Sequence, residues 1–207
     1  KRHQDVIATA AMLYRPMIVP PVAHAVDCSG GHLLPFVRKP VVQKFKDVQW
    51  DEKVAQKGST PSQTVIDGLN GLMHTEWTIN TKVLEVMENL FRNNTREANM
   101  PAYEFSAFDF AEPYPENGTD EEKAKWCGRK EESYSGWYKE ERARGRMLVR
   151  FMVAKNLLAH KFFYHVFTCD FRGRANAACD LLSPQSGDFD RGLIMFAEPR
   201  KQTTQGV

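Results

Sequence analysis

The stretch HVFTCDFRGR, from His165 to Arg174, sets the local fold near the end of the sequence. Residues 165–168 are rich in β-branched and aromatic side chains, which predicts a strand. Asp170 and Gly173 favour a tight bend directly after it, because Asp accepts local backbone hydrogen bonds and Gly tolerates positive φ. We therefore expect a strand that ends in a turn carrying charged side chains.

Two interpretations of this turn remain open from the residues alone. In the simpler one, Asp170 and a neighbouring arginine form an ion pair across a β-turn. In the functional one, Arg172 and Arg174 flank the bend and bind a polyanion, and Asp170 orients one guanidinium through a bidentate pair. Gly173 would then let a nucleic-acid backbone approach the chain closely.

The composition is that of a folded protein of no extreme charge. The 207 residues are 42% hydrophobic, and the formal net charge is +2, so the total charge neither requires nor excludes a nucleic-acid partner. The sequence lacks a run of about 18 apolar residues, so no membrane span is expected. The four cysteines form no CxxC pair, which favours free thiols over a zinc site or a disulfide framework.

Helical patterns occupy the middle of the chain. Thr60, Pro61 and Gln63 resemble a helix start, and apolar residues then recur every three or four positions from Val65 to Phe91. This spacing predicts one helical face over that whole range. Residues 93–118 contain prolines, acids and aromatics without periodicity, which predicts a long irregular surface segment.

A second long helix is expected over about residues 121–162, with a capping box at Thr119–Glu122 and breaks near its glycines. Those glycines are Gly128, Gly136 and Gly145. The helix carries the densest basic segment of the chain, which includes Arg142, Arg144, Arg146 and Arg150. Such a segment is either a solvated face paired with nearby glutamates or a phosphate-binding face.

Four aspartates near the end of the sequence are the candidates for metal chemistry, Asp170, Asp180, Asp188 and Asp190. Two-metal phosphoryl transfer needs acids that converge on ions about 4 Å apart. Asp188 and Asp190, however, lie where a helix begins, and an acid there is more simply a cap. We therefore expect none of the four to be a metal ligand, and the sequence contains no HExxH, GxSxG or Walker motif.

The order of these features resembles the single-subunit RNA polymerases of phages and mitochondria. That family has an Asp-x-x-Gly-Arg motif at the start of its palm, here DFRGR at 170–174, followed by a Pro-Gln turn, here PQSGD at 184–188 before RGL at 191–193. MIVPP at 17–21 and SGGHLL at 29–34 resemble its Val-Pro-Pro and Gly-Gly segments. EWTINTKVLEVMENL at 76–90 resembles its Trp-x-Ile-Asn-x-x-Val-Leu helix.

The resemblance implies a mainly α fold with a small antiparallel β element, an α+β arrangement. Residues 1–118 would be the C-terminal part of the polymerase N-terminal domain, with a surface loop at 93–118. Residues 119–162 would form thumb-like helices, and residues 163–207 the start of the palm. Arg172 and Arg174 would contact the template and RNA near the growing 3′ end, with Asp170 and Gly173 shaping the bend. The other implied nucleic-acid contacts are Arg191, Arg142, Arg144, Arg146 and Arg150.

The family's metal-binding motifs, Asp-Gly-x-x-x-Gly-x-Gln-His and His-Asp-Ser, do not occur in this sequence, nor do its fingers Lys and Tyr. The sequence therefore most resembles the small subunit of the split, two-polypeptide RNA polymerases of podophages of the coliphage N-four type. This implies that the chain holds no catalytic residue of its own. It would be part of a heterodimer, inactive without a larger subunit that holds Mg²⁺ and shares the nucleoside triphosphate site, in the cytoplasm of an infected bacterial host. We also expect that subunit to complete the edge of the palm strands through a large apolar interface.

Three alternatives remain open. In place of a small polymerase subunit, the sequence also fits a fragment of a one-chain polymerase, a non-enzymatic nucleic-acid-binding protein or a helical adaptor.

Overall fold

The structure, a computed structural model, describes residues 15–25, 30–38, 41–43, 61–170 and 172–198. These ranges contain four α-helices, five short strands and two 3-10 turns, Pro35–Val37 and Glu97–Asn99. The helices are Gln63–Met73 (α1), Thr81–Arg92 (α2), Asp120–Leu158 (α3) and Asp188–Leu193 (α4). The strands are Val42–Gln43 (β1), Trp77–Ile79 (β2), Phe167–Asp170 (β3), Ala175–Ala177 (β4) and Ile194–Phe196 (β5). The fold is mainly helical, as expected, and its strands form two small sheets.

The first sheet has the order β1-β3-β4. Strands β3 and β4 form an antiparallel hairpin in which Phe167 lies opposite Ala177. Strand β1 pairs with β3 in parallel, with Val42 opposite Cys169, so the expectation of a purely antiparallel element is wrong for this pair. The strand also begins two residues later than predicted, because the pairing starts at Phe167 and not at His165.

The core of this sheet lies against α1. Leu69 and Met73 face the sheet together with Val41, Val166 and Phe167, and all five are buried. Ser62 is the N-cap of α1, and the Ile66 amide donates to its carbonyl at 3.1 Å. The predicted start at Thr60 lies outside the described residues, and Pro61 precedes the helix instead of opening it.

The single helical face predicted from Val65 to Phe91 is wrong, because β2 separates α1 from α2. Trp77 and Ile79 are buried with a half-buried residue between them, an alternation that belongs to a strand. Strand β2 pairs with β5 in antiparallel fashion and with Phe163 on its other side. Asn80 then ends the strand, because its side-chain oxygen accepts the Val83 amide at the start of α2. Tertiary pairing thus overrides the local helical spacing.

The 39 residues of α3 are continuous, so the breaks predicted at its glycines do not occur. The predicted capping box is confirmed: the Thr119 amide donates to Glu122 Oε2 at 2.7 Å, and the Glu122 amide donates to Thr119 Oγ1 at 3.3 Å. The many Ala, Glu, Lys and Arg residues of the helix have high helical propensity and compensate for the glycines.

Residues 93–118 are irregular, as predicted, apart from one 3-10 turn, and they lie along α3. Indole groups of the helix hold them there. Trp126 Nε1 donates to the Glu112 carbonyl at 3.0 Å, and Trp137 Nε1 donates to the Ser106 carbonyl at 2.7 Å. An ion pair between Arg129 and Glu112 adds to this attachment.

The chain divides into two compact units. One contains the described residues up to Leu84 together with those from Met152 onward, and the other is Glu85–Phe151. The expected boundaries at 118 and 162 stay predictions. None of the described helices is long and apolar enough to cross a membrane.

Candidate nucleic-acid interface

The hairpin turn between β3 and β4 is organised by the Asp170 carboxylate. Its Oδ1 accepts the amides of Arg172 and Arg174, each at 2.9 Å, and its Oδ2 accepts Arg174 Nε at 3.1 Å. The expected bidentate pair is therefore replaced by a different arrangement, in which one oxygen binds the backbone and the other a guanidinium. An aspartate that accepts amides two and four residues ahead fixes the path of the turn.

Backbone hydrogen bonds close the same turn. The Asp170 amide donates to the Arg174 carbonyl at 2.8 Å, and the Gly173 amide donates to the Asp170 carbonyl at 2.9 Å. Gly173 has φ of +84°, a conformation that residues with a Cβ seldom adopt. Glycine at this position is thus required by the turn itself.

The charges of the turn are unevenly exposed. The Asp170 side chain is only 12% exposed, whereas those of Arg172 and Arg174 are 51% and 64% exposed. The Arg174 amide, with its guanidinium and the Arg172 amide, lowers the pKa of the Asp170 carboxyl against the opposing effect of desolvation. The turn therefore presents two cations at its surface above a carboxylate that stays ionised.

The side chain of Gln185 also holds β4 in place. Gln185 Oε1 accepts the Ala177 amide at 2.6 Å, and Gln185 Nε2 donates to the Ala175 carbonyl at 2.7 Å. These bonds satisfy backbone groups at the outer edge of β4. This strand follows the turn that carries Arg172 and Arg174, which we call the arginine turn. Sequence reasoning marked the Pro-Gln turn only by resemblance and missed this positioning role of Gln185, which the amide's paired donor and acceptor make possible.

The aspartates proposed as alternative metal ligands do not converge. Asp190 is fully buried and accepts the Leu182 amide at 3.0 Å, whereas Asp188 is exposed and forms an ion pair with Arg191. Among the residues that the structure describes, no three His, Cys, Asp or Glu side chains lie close enough to hold a metal ion. Asp190 therefore ties the start of α4 to the preceding loop, although not as the simple helix cap that the sequence suggested.

The four arginines in the basic segment of α3 differ in their surroundings. Arg142 and Arg146 are exposed and Arg150 is half-buried, and their four-residue spacing places them along one side of the helix. Arg144 is buried, pairs with Glu141 at 2.9 Å and lies 5.4 Å from the centre of the Phe105 ring. Arg144 is only 8% exposed, which does not favour the phosphate contact expected for it.

Comparison with known proteins agrees with the resemblance seen in the motifs. No protein-family model matches the chain. It is 27% identical over 197 residues to DNA-directed RNA polymerase 2, chloroplastic/mitochondrial, of Nicotiana sylvestris, a match that covers 94% of this chain and 18% of the relative. DNA-directed RNA polymerase 1B, mitochondrial, of Nicotiana tabacum is 28% identical over 94% of this chain and 19% of the relative.

DNA-directed RNA polymerase 2, chloroplastic/mitochondrial, of Arabidopsis thaliana is 26% identical over 96% of this chain and 19% of the relative. The chain thus spans about a fifth of the length of these curated relatives. Nearly all of it aligns with proteins that are named as DNA-directed RNA polymerases. The chain is therefore homologous to a segment of the single-subunit, phage-type DNA-directed RNA polymerases.

Proposed function

We propose that this chain is a subunit of a DNA-dependent RNA polymerase, which binds template DNA and the RNA–DNA hybrid while a second polypeptide supplies the nucleotidyl-transfer site. The observation that carries the proposal is the alignment of 94% of the chain with RNA polymerases of which it spans only 18%. The family motifs for metal binding do not occur within these 207 residues, so in this proposal residues outside them carry out the chemistry.

The arginine turn is the element that we place nearest the reacting strands. Asp170 binds the backbone on both sides of Gly173, so the turn keeps its shape before any ligand arrives. Arg174 uses Nε to bind the carboxylate, and 64% of its side chain remains exposed for contact with a ligand. Cations held in advance in this way stabilise a polyanion without the cost of ordering them during the reaction.

The exposed side of α3 supplies a second set of contacts. Arg142 and Arg146, with Arg150 beside them, bind phosphates of the template or hybrid and fix its position without reading sequence. Arg191 adds a cation next to its own partner Asp188. We leave Arg144 out of this surface because it is buried within its own unit.

The family's Mg²⁺ ions belong to the partner in this proposal, because the described residues offer no converging set of oxygen ligands. Two such ions activate the attacking hydroxyl and stabilise the leaving group in phosphoryl transfer. The residues of this chain bind and orient the strands, which can lower the barrier substantially by keeping the reactants aligned.

RNA primer extension on an RNA–DNA scaffold, with Mg²⁺ and nucleotides, tests the proposal. The purified chain is assayed alone and then with the polypeptide that co-purifies with it from its native source. We expect extension only in the second case.

Three outcomes would overturn the proposal. Extension by the chain alone would mean that the chain binds the metal ions itself, with Asp170, Asp180, Asp188 and Asp190 as the candidate ligands. Extension only when the chain is continuous with further polymerase sequence would make it a segment of a one-chain enzyme. Failure of both assays would leave a non-enzymatic nucleic-acid-binding protein if the scaffold binds in a salt-dependent manner, and a helical adaptor if it does not.

A further inference from the structure

Two tyrosines lie one turn apart on the surface of α3. The rings of Tyr134 and Tyr138 are nearly parallel, with 16° between their planes and 6.3 Å between their centroids. Their residues are 48% and 50% exposed. Two large aromatic side chains that stay half exposed side by side offer a candidate binding surface.

Neighbouring aromatic residues hold this pair in place. Tyr134 makes an edge contact with Phe108 at 5.1 Å and lies 5.4 Å from Trp137. Trp137 is itself fixed by its hydrogen bond to the Ser106 carbonyl. Tyr138 stacks on this buttressed ring, so its orientation is set before binding, while half of its surface remains open.

Positive charge continues from the pair along the helix. Arg142 follows Tyr138 by one turn and Arg146 follows by two, and both are exposed. At a rise of 1.5 Å per residue, each step is about 6 Å along the axis. An open aromatic face followed by exposed arginines is the combination that binds single-stranded nucleic acid, since the ring stacks on a base and the cations bind phosphates.

We propose that Tyr138, supported by Tyr134, stacks on an unpaired nucleotide whose adjoining phosphates bind Arg142 and Arg146. The ligand class is single-stranded nucleic acid, because a base inside a duplex is already covered on both faces by its neighbours. This inference rests on the proposed function, in which template and RNA strands pass this chain. It adds a base-stacking site to a helix otherwise assigned only phosphate contacts.

Fluorescence anisotropy with labelled oligonucleotides tests the inference on the full chain. The probes are DNA and RNA single strands of about 12 nucleotides, within the site size of known single-strand binders, and a DNA duplex of the same length. We expect Tyr138→Ala to weaken single-strand binding by roughly tenfold, and Tyr138→Phe to leave it nearly unchanged because the ring is kept. Tyr138→Ala should not change duplex affinity.

Tyr114→Ala is the matched control, because Tyr114 is 48% exposed and packs edge-on against Trp126 in the same unit. It should bind the single strand like the unmodified chain. Arg142→Ala should reduce the slope of affinity against salt by about one unit, whereas Tyr138→Ala should leave that slope intact. Stronger binding of DNA would assign the site to the template, stronger binding of RNA to the transcript, and both agree with stacking.

Unchanged single-strand affinity in Tyr138→Ala would overturn the inference, as would an equal loss for single strand and duplex. These results are separable from primer extension. A stacking effect without extension in the presence of the co-purifying polypeptide would sink the proposed function alone. Partner-dependent extension together with unchanged single-strand affinity in Tyr138→Ala would overturn the stacking site alone.

Discussion

Asp170 and Arg174 bind each other through both backbone and side chain. The Asp170 amide donates to the Arg174 carbonyl at 2.8 Å, and the Arg174 amide and Nε donate to the two carboxylate oxygens at 2.9 and 3.1 Å. Asp170 thus closes the hairpin and also positions the Arg174 guanidinium. The simple ion-pair interpretation and the functional interpretation of this turn are not alternatives, because the ion pair is what positions the cation.

The charge of Asp170 should make the hairpin sensitive to acid. Its bonds to Arg174 and Arg172 lower the pKa of the folded carboxyl, so they stabilise the protein above the unfolded value of about 4 and are lost as the pH falls through the folded pKa. Asp170→Asn keeps an acceptor oxygen but removes the charge. We expect the variant to be less stable than the unmodified chain near neutral pH, with a difference that shrinks in acid. Urea unfolding from roughly pH 7 to 3 measures this, and a constant difference would contradict it.

Gly173→Ala should destabilise the chain by about 1 kcal/mol, because φ of +84° is unfavourable for a residue with a Cβ. A Cβ at this position would meet no atom within 4 Å, so the cost comes from the backbone and not from a clash. Urea unfolding at neutral pH gives the change in the free energy of unfolding.

Gly136→Ala is the matched control, since its added Cβ also meets nothing within 4 Å but the residue lies inside α3. The same substitution should there stabilise the chain by up to about 1 kcal/mol, because alanine is the better helix former. Equal effects of the two substitutions would show that φ at Gly173 does not control the turn.

Arg174→Ala should damage nucleotide addition more than it damages binding. In the proposed function, the turn lies near the reacting ends of the strands, whereas Arg146 on α3 contacts phosphates only. In the complex with the co-purifying polypeptide, we expect Arg174→Ala to slow single-nucleotide extension by roughly tenfold or more at saturating scaffold. Arg146→Ala should weaken scaffold binding and leave the saturated rate nearly unchanged. Small and equal effects on the rate would remove Arg174 from the reacting site.

Local signals in this sequence predicted local structure well. The reciprocal hydrogen bonds of Thr119 and Glu122 and the bend at Gly173 follow from side chains within four residues of each other. The strand at Trp77 was missed because its partner, Ile194–Phe196, lies more than a hundred residues away. Periodicity of three and four cannot report such a pairing, which overrides helical propensity.

In the candidate site too, nearby residues could be interpreted from the sequence, whereas contacts with distant segments could not. Residue types and spacing identified Arg172 and Arg174 as exposed cations, but they did not distinguish Arg144 from its neighbours. Arg144 is buried because Glu141 and Phe105 cover it, and Phe105 belongs to an irregular segment whose path has no sequence signature. A charged residue on a helix can be assigned to a surface only when the segments packed on that helix are known.

His165 is a buried histidine whose ring packs against aromatic side chains. It is fully buried between Trp77 and Phe163, with ring centroids 5.6 Å from each. Within the described part of the chain, neither ring nitrogen has a hydrogen-bond partner. Burial lowers the pKa of His165 to about 4, so the folded protein keeps the ring neutral where an unfolded chain would protonate it.

The His165→Leu substitution should therefore flatten the dependence of stability on pH. A folded pKa below the unfolded value of about 6.5 means that the unfolded state binds more protons. The contribution of neutral His165 to the free energy of unfolding is therefore fully present above that value, and it is lost as the pH falls toward 4. Between roughly pH 7 and 5, this one group should cost the unmodified chain about 2 kcal/mol. Leucine has nearly the same volume and cannot titrate, so the variant should lose correspondingly less over the same interval. Urea unfolding at the two pH values gives both losses, and equal losses would mean that protonated His165 is accommodated in the folded core.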